Sequence, residues 1–352
     1  MDLLEKLHTD HRFGDSAQIL SRVTLHYHGL LAWCELRLGL DGRQDALWRQ
    51  LQSLQSVDRT FILRSGPIRE MIEQLATSIS GPGGADLKIL STLASILTEA
   101  FQLPRNAGVP YGFDAAPTIT EPYPLHLIVH TKRSIESSAV APWNEAEAVR
   151  QMFDREMAND VGARRCVIRA ADSSDVGRFE EALALLGRVS THIPTDVAAH
   201  VRHLCPIDFE CWEQMLPEEY REIGQSVSSH LVPSTCFFSY HSMGRTETLT
   251  EAIYHEALHK KLSNILVADS VLSDDYNPLT SERFVSYWNQ DTAWNPNAWE
   301  FDRALYAFHV YVHLVAYYKR VLAERIVEAN LEWCSSRLEQ AREGLHNLGA
   351  SA

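Results

Sequence analysis

The sequence lacks several features that would place the chain in a broad class at once. It has no uninterrupted apolar run long enough to span a bilayer, and its first residues carry no basic segment followed by an apolar core. Its six cysteines are scattered without a C-x-x-C pair, which indicates reduced and mostly buried thiols. The chain has 32 Lys and Arg against 46 Asp and Glu, so its net charge is -14. This excess of negative charge argues against a nucleic-acid or anionic-membrane partner. We therefore expect a cytoplasmic protein that binds neither nucleic acid nor membrane.

The composition that remains is that of an ordinary globular protein. Hydrophobic residues make up 45% of the 352 residues and charged residues 22%, which suits one large or two medium domains. Helical periodicity dominates residues 16–103, and short strand-like runs occur near residues 125–130, 165–169, 198–207 and 234–240. We predict a mainly α protein with a small β-sheet (α+β), divided into a helical N-terminal region (1–105) and a catalytic domain (106–352).

The pattern H-E-x-x-H stands inside a helical run that contains neither proline nor glycine. His255 and His259 are four residues apart, so on a helix they lie one turn apart on one face and can reach the same metal ion. Glu256 lies between them and can serve as a proton shuttle or as a group that orients a ligand histidine. The segment therefore predicts a metal site.

Two known patterns for a third ligand can be tested against the downstream sequence. The metzincin extension is excluded, because Leu262 stands where it requires glycine and Ile265 where it requires histidine. A peptidase that takes its third ligand from a later glutamate would have to use Glu282, which lies in a loop-like segment. Glu282 remains an alternative ligand.

A second predicted helix, within residues 298–329, supplies a stronger alternative. His309 and His313 repeat the four-residue spacing in an apolar and aromatic stretch, where an unpartnered imidazole is costly. We predict that His309 is the third ligand, with His313 as the alternative or as a pocket residue. Three histidines leave sites for 2-oxoglutarate and O2 on an octahedral Fe(II), and they suit a zinc-bound water equally well. Spacing alone does not choose between iron and zinc.

The C-terminal half resembles the HExxH-motif proteins of bacterial natural-product (RiPP) clusters. The resemblance rests on the motif with its following lysine, a tryptophan and proline loop, and the later helix: His255, Glu256, His259, Lys261, Trp294, Pro296, Arg303, His309, Tyr311 and His313. That family resembles non-haem iron oxygenases that use 2-oxoglutarate to hydroxylate peptide side chains, typically at the β-carbon. The resemblance implies Fe(II) ligands at His255, His259 and His309, with Lys261 and Arg303 pairing with the distal carboxylate of 2-oxoglutarate and His313 beside the cofactor.

The resulting hypothesis is an Fe(II)- and 2-oxoglutarate-dependent dioxygenase that uses O2 to hydroxylate a peptide or amino-acid-like small molecule in natural-product biosynthesis. The first alternative is a zinc metallopeptidase in which Glu256 activates water as general base. The second is a helical interaction protein in which the H-E-x-x-H string is accidental.

Overall fold

The fold is that of a computed structural model. It describes residues 2–351 apart from 11–12, 41–45, 55, 83, 103–117, 120–126, 130–144, 160–165, 210–225, 229–231, 270, 274, 286–297 and 327–329. Trp294 and Pro296 of the predicted loop, and both histidines of the strand-like run at 125–130, lie outside the described residues.

Helices form most of the described chain. In chain order they are α1 (Leu3–Thr9), α2 (Ser16–Arg37), α3 (Leu47–Ser53), α4 (Ser56–Leu63), α5 (Gly66–Ser80), α6 (Leu87–Gln102), α7 (Glu145–Asn159), α8 (Ser173–Val189), α9 (His192–His200), α10 (Tyr240–Met243), α11 (Thr246–Ala268), α12 (Phe301–Glu324) and α13 (Leu331–Ser351). Among these described helices none has both the length and the apolar character needed to cross a membrane.

The strands are short and form one mixed sheet and one small pair. They are β1 (Thr118–Ile119), β2 (Leu127–Val129), β3 (Cys166–Ile168), β4 (His203–Phe209), β5 (Ser226–Val227), β6 (Thr235–Ser239), β7 (Phe284–Val285) and β8 (Ala298–Trp299). The central strand β4 runs parallel to β2 and β6 and antiparallel to β3. β1 and β5 complete the sheet as antiparallel neighbours of β2 and β6, and β7 pairs with β8. The predicted mainly α fold with a small sheet is therefore confirmed.

Local sequence signals account for the start of several helices. Asp15 accepts hydrogen bonds from two backbone amides at the start of α2. Asp172 and Asp175 form a reciprocal capping box at the start of α8. Pro67 lies in the first turn of α5, where its missing N–H has no helical partner to lose.

Two predicted element boundaries are wrong. The extended run expected at residues 198–207 is split, because α9 continues through His200 and the strand begins at His203. The helix expected from residue 298 begins at Phe301, after β8. In α9 the buried Val197, Ala198 and Ala199 pack inside the protein whichever backbone they adopt, so apolar character alone did not distinguish helix from strand.

The motif helix α11 lies at the centre of the molecule. Its N-terminal half belongs to a core cluster that includes residues of α8, α9, β6 and α12. Leu262 and Ile265, near its C-terminal end, belong instead to the cluster formed by the N-terminal helices α2 to α6. The N-terminal helices thus pack directly on the helix that carries the H-E-x-x-H motif.

Candidate metal site

One stripe of the core helix α11 is left partly open. From Leu249 to Ile265 every side chain is buried except those of His255, His259 and Ser263, which follow one another at intervals of four residues. Residues at this spacing lie on one face of a helix. The two motif histidines therefore occupy the least buried stripe of this part of α11.

The two imidazoles converge on each other. Their Nε2 atoms are 3.1 Å apart, and the ring centroids are 4.8 Å apart. Two nitrogen ligands bound at about 2.0–2.1 Å from one metal ion and separated in this way would subtend roughly 95–102° at the metal, between the octahedral and tetrahedral angles. Burial, assisted by His255, lowers the pKa of His259 to about 3, so this ring is neutral, as a ligand must be. These two residues fit a metal ion.

Glu256 is held as a buried carboxylate behind the pair. It accepts a 2.6 Å hydrogen bond from the hydroxyl of Ser226 on β5. Burial by itself raises the pKa of Glu256, but His255, His259 and hydrogen bonds from Ser226 and Ser228 outweigh it and lower the pKa. The side chain therefore supplies a fixed negative charge beside the histidines.

Helix α12 runs antiparallel to α11 along the same face. The Tyr254 hydroxyl lies 3.0 Å from Nδ1 of His313, and further along α11 the Ser263 hydroxyl lies 2.9 Å from the hydroxyl of Tyr306. Because the two contacts run in opposite chain directions, His309 lies at the level of His259.

His309 has two features expected of a metal ligand. Its Nε2 is buried and has no hydrogen-bond partner among the described residues. Burial lowers its pKa to about 3, with Lys261 and His259 contributing. We call His255, His259 and His309 the histidine face.

The third ligand is not brought into contact with the other two. Within the described part of the chain, no group of three or more His, Cys, Asp or Glu side chains is arranged to hold a metal ion. Glu282, the alternative ligand, is exposed beyond the end of α11. The structure thus brings together two of the predicted ligands and places His309 on the facing helix.

Lys261 has a different environment from the one expected of a 2-oxoglutarate ligand. Its ammonium group is buried and donates hydrogen bonds of 2.5 Å to Asp196 and 2.7 Å to the carbonyl oxygen of Gly14. A role in binding 2-oxoglutarate would require Lys261 to leave a buried ion pair, which is costly.

Arg303 lies in the first part of α12, on the same helix as His309. Its guanidinium lies 4.9 Å from the ring centroid of Trp299, and the side chain is half-buried. A guanidinium at this position is compatible with a stacking role and with pairing to a carboxylate.

A second set of polar residues surrounds Asp196, the carboxylate that binds Lys261. Besides Lys261, Asp196 binds Nδ1 of His8 at 2.5 Å, and Nε2 of His8 lies 3.0 Å from the hydroxyl of Tyr254, which in turn contacts His313. All five side chains are buried. We call His8, Asp196, Tyr254, Lys261 and His313 the buried network.

Sequence reasoning gave no role to Asp196, His8 or Ser226. Lys261 gave one general signal, because a lysine in a buried helix needs a buried carboxylate as its partner. Nothing in the sequence indicated which acidic residue that would be.

Comparison with known proteins adds no relative. No protein-family model matches the sequence, and a search of curated proteins finds no match.

Proposed function

We propose that this protein is an Fe(II)- and 2-oxoglutarate-dependent oxygenase that hydroxylates a side chain of a peptide or amino-acid-like substrate, at the β-carbon. The observation that carries the proposal is the pair His255 and His259, whose Nε2 atoms converge on the open stripe of a core helix. When bound, the metal and its co-substrate would supply O2 activation and oxidation of a C–H bond. The chain's own residues bind, orient and shield these groups.

The proposed ligands are His255, His259 and His309. The first two already present their Nε2 atoms to a common point. His309 lies on the facing helix with a buried Nε2 that lacks a described hydrogen-bond partner, and we assign the third ligand position to this nitrogen.

The co-substrate carboxylate is assigned to Arg303 rather than to Lys261. Lys261 is held by Asp196 and by Gly14. Arg303, half-buried beside Trp299, is the other cation that the resemblance assigns to this carboxylate. The Ser263 hydroxyl donates to the carbonyl oxygen of His259 and lies 2.9 Å from the hydroxyl of Tyr306, so these two side chains add polar oxygens to the surroundings of His259.

The environment of Glu256 favours oxygenase chemistry over hydrolysis. Its carboxylate is buried and accepts a 2.6 Å hydrogen bond from Ser226 on β5, so the neighbouring strand holds it in place. Glu256 therefore suits the task of orienting the ligand helix and balancing the charge of a bound cation, while the zinc peptidase stays the rival reading.

The test is anaerobic titration of the metal-free protein with Fe(II) and then 2-oxoglutarate. We expect a visible charge-transfer absorption that appears only with both additions, and succinate release once O2 and a substrate peptide are added. The His259→Ala variant should lose the absorption, whereas the matched control His192→Ala, at an exposed histidine on α9, should keep it.

The rival function gives a different outcome. A peptidase would take up zinc during purification, cleave peptides without 2-oxoglutarate, and lose cleavage in Glu256→Gln. That result, or the absence of any absorption on adding 2-oxoglutarate to the iron-loaded protein, would reject the oxygenase.

A further inference from the structure

The direction of every hydrogen bond in the buried network is determined by Asp196. Its carboxylate accepts from Lys261 Nζ and His8 Nδ1 at 2.5 Å and from the Ser16 hydroxyl at 2.6 Å. Burial alone would raise the pKa of Asp196, but Lys261 and His8 outweigh it and hold the pKa well below its ordinary value. An ionised carboxylate can only accept hydrogen bonds, so Nδ1 of His8 carries a proton.

The same reasoning continues from His8 to helix α12. A neutral imidazole has one donor and one acceptor, so His8 uses Nε2 to accept from the Tyr254 hydroxyl at 3.0 Å. The Tyr254 oxygen then accepts from Nδ1–H of His313, also at 3.0 Å. Burial and the nearby ammonium group of Lys261 lower the pKa of His8, in line with a neutral ring. A neutral His313 that donates through Nδ1–H carries its lone pair on Nε2.

The other oxygen of Asp196 starts a second chain with an equally defined direction. Ser16 donates to Asp196 and accepts from Nε2–H of His200 at 2.9 Å. Nδ1 of His200 then accepts from the amide of Asn264 at 2.8 Å, and the Asn264 oxygen accepts from the Arg69 guanidinium at 2.8 Å. Because guanidinium only donates and carboxylate only accepts, the two ends agree on the same direction. The orientation of Asp196 is therefore fixed from both sides.

We propose that Asp196 is a positioning residue of the candidate metal site: through His8 and Tyr254 it sets the tautomer and orientation of His313, and so the placement of His309 opposite His259. The proposal rests on the proposed function. The ring centroid of His313 lies 4.7 Å from that of His309 and 5.4 Å from that of His8, so His313 is the member of the buried network that touches the histidine face. The support therefore reaches His309 through ring packing within α12, behind the ligands.

The inference also gives the N-terminal segment a function. His8 lies on α1 and Ser16 on α2, and both reach Asp196 from outside the predicted catalytic domain. Helices α1 and α2 thus supply part of the support of the metal site.

The experiment compares Tyr254→Phe with Tyr318→Phe in the full chain. Both substitutions remove one buried hydroxyl at the interface of α11 and α12, but Tyr318 donates to Glu251, outside the buried network. Histidine-selective 15N NMR of the metal-free protein, with the His313 signals assigned from His313→Gln, reports the tautomer. We expect native protein and Tyr318→Phe to show His313 protonated on Nδ1. Tyr254→Phe should lose that state, because Nδ1–H no longer has its acceptor.

The second measurement is the affinity for Zn²⁺ alone, by competition with a chromophoric chelator. Loss of a supporting hydrogen bond typically weakens metal binding about 10- to 100-fold, and we expect this for Tyr254→Phe. Tyr318→Phe should keep the native affinity.

The outcomes separate this proposal from the proposed function. If native protein binds Zn²⁺ but Tyr254→Phe leaves the tautomer and the affinity unchanged, or Tyr318→Phe changes them equally, the positioning role is overturned and the metal site stands. If native protein takes up no Zn²⁺, the proposed function fails and the positioning role fails with it.

Discussion

The histidine face and the buried network meet on helices α11 and α12, but the polar atoms of the two sets differ in how far they are hydrogen-bonded. In the buried network a carboxylate, an ammonium group, a phenol and two imidazoles satisfy one another through bonds of 2.5–3.0 Å. In the histidine face the Nε2 atoms of two imidazoles lie 3.1 Å apart, and a third imidazole has a buried Nε2 without a hydrogen-bond partner among the described residues. Both sets contain histidines, so residue type does not explain the difference.

The difference shows what a pair of histidines four apart on a helix means in this fold. Where other elements bring complementary groups, as α1 and α9 do for His313, the histidine becomes part of a closed structural network. Where the core leaves an open stripe, as at His255 and His259, the nitrogen atoms remain available to a ligand. Four predictions, from the largest expected effect to the smallest, test this contrast.

The largest effect is expected from Asp196→Ala, which leaves Lys261 as an uncompensated buried charge. Breaking a buried pair in this way costs about 3–5 kcal/mol, which urea unfolding of the metal-free protein would measure. The control is Glu70→Ala, which removes a pair with the exposed side chain of Arg155 and should cost less than about 1 kcal/mol. Equal losses of unfolding free energy in the two variants would mean that the buried pair of Asp196 stabilises the protein no more than the exposed pair does.

His259→Ala should show the opposite profile from His8→Ala. Removing a ligand should weaken Zn²⁺ binding at least 100-fold, or about 2.7 kcal/mol, while the stability of the metal-free protein changes little because the side chain is half-buried. His8→Ala should destabilise the metal-free protein, because it leaves Asp196 and Tyr254 with unmet hydrogen bonds. If both variants lost only Zn²⁺ affinity, or both lost only stability, the distinction between the histidine face and the buried network would be contradicted.

The two hydrogen-bond chains that meet at Asp196, one through His8 and one through Ser16 and His200, should make the metal-free protein sensitive to acid. Burial lowers the folded-state pKa of His8 and of His200 below the ordinary value near 6.5. The unfolded chain therefore binds more protons, so this contribution to stability is complete above about pH 6.5 and is lost as the pH falls towards the folded-state values. Each histidine contributes about 1.4 kcal/mol per pH unit in that window. The charged or titratable groups that face the two rings are Asp196, Lys261, His192, Arg64, Arg69, Tyr254 and His313.

Chemical unfolding between pH 5 and 7.5 measures that slope. His200→Gln can keep one hydrogen bond but cannot titrate, so it should flatten the dependence by the share of one histidine. An unchanged slope in His200→Gln would show that the sensitivity arises elsewhere.

The smallest effect on stability is expected for Arg303→Ala. Loss of its contact with Trp299 should cost about 0.5–1 kcal/mol. Arg49→Ala, which removes a guanidinium 5.2 Å from the ring of Trp48, is a matched control and should cost a similar amount. Only Arg303→Ala should raise the KM for 2-oxoglutarate, by about tenfold or more, because removing one partner of a charge-assisted pair costs roughly 1.5–3 kcal/mol. An unchanged KM would remove Arg303 from the co-substrate site.

The fold was predictable where periodicity is strong and long. The motif helix and the later helix with His309 and His313 were expected from their apolar spacing, and both exist as α11 and α12. The short buried run at residues 198–207 was divided wrongly, because a few consecutive apolar residues suit a buried helix end and a buried strand equally well.

The candidate site was predictable only in its local part. His255 and His259 are neighbours because helix geometry makes residues four apart neighbours. Lys261 was expected to meet a co-substrate, whereas it meets Asp196, which lies 65 residues earlier in the chain. No local rule specifies which carboxylate folds onto a given lysine, since that depends on how α9 packs against α11.

By itself the sequence determined the mainly helical fold and the H-E-x-x-H pair, because both depend on spacings within single helices. Only the tertiary structure decided which polar residues are closed off and which remain open. It placed α1, α2 and α9 behind the motif helix, where Asp196 of α9 binds Lys261, His8 of α1 binds Tyr254, and Tyr254 in turn binds His313. It left His255 and His259 on the uncovered stripe, because contacts between residues distant in sequence are set by packing and charge pairing rather than by local periodicity.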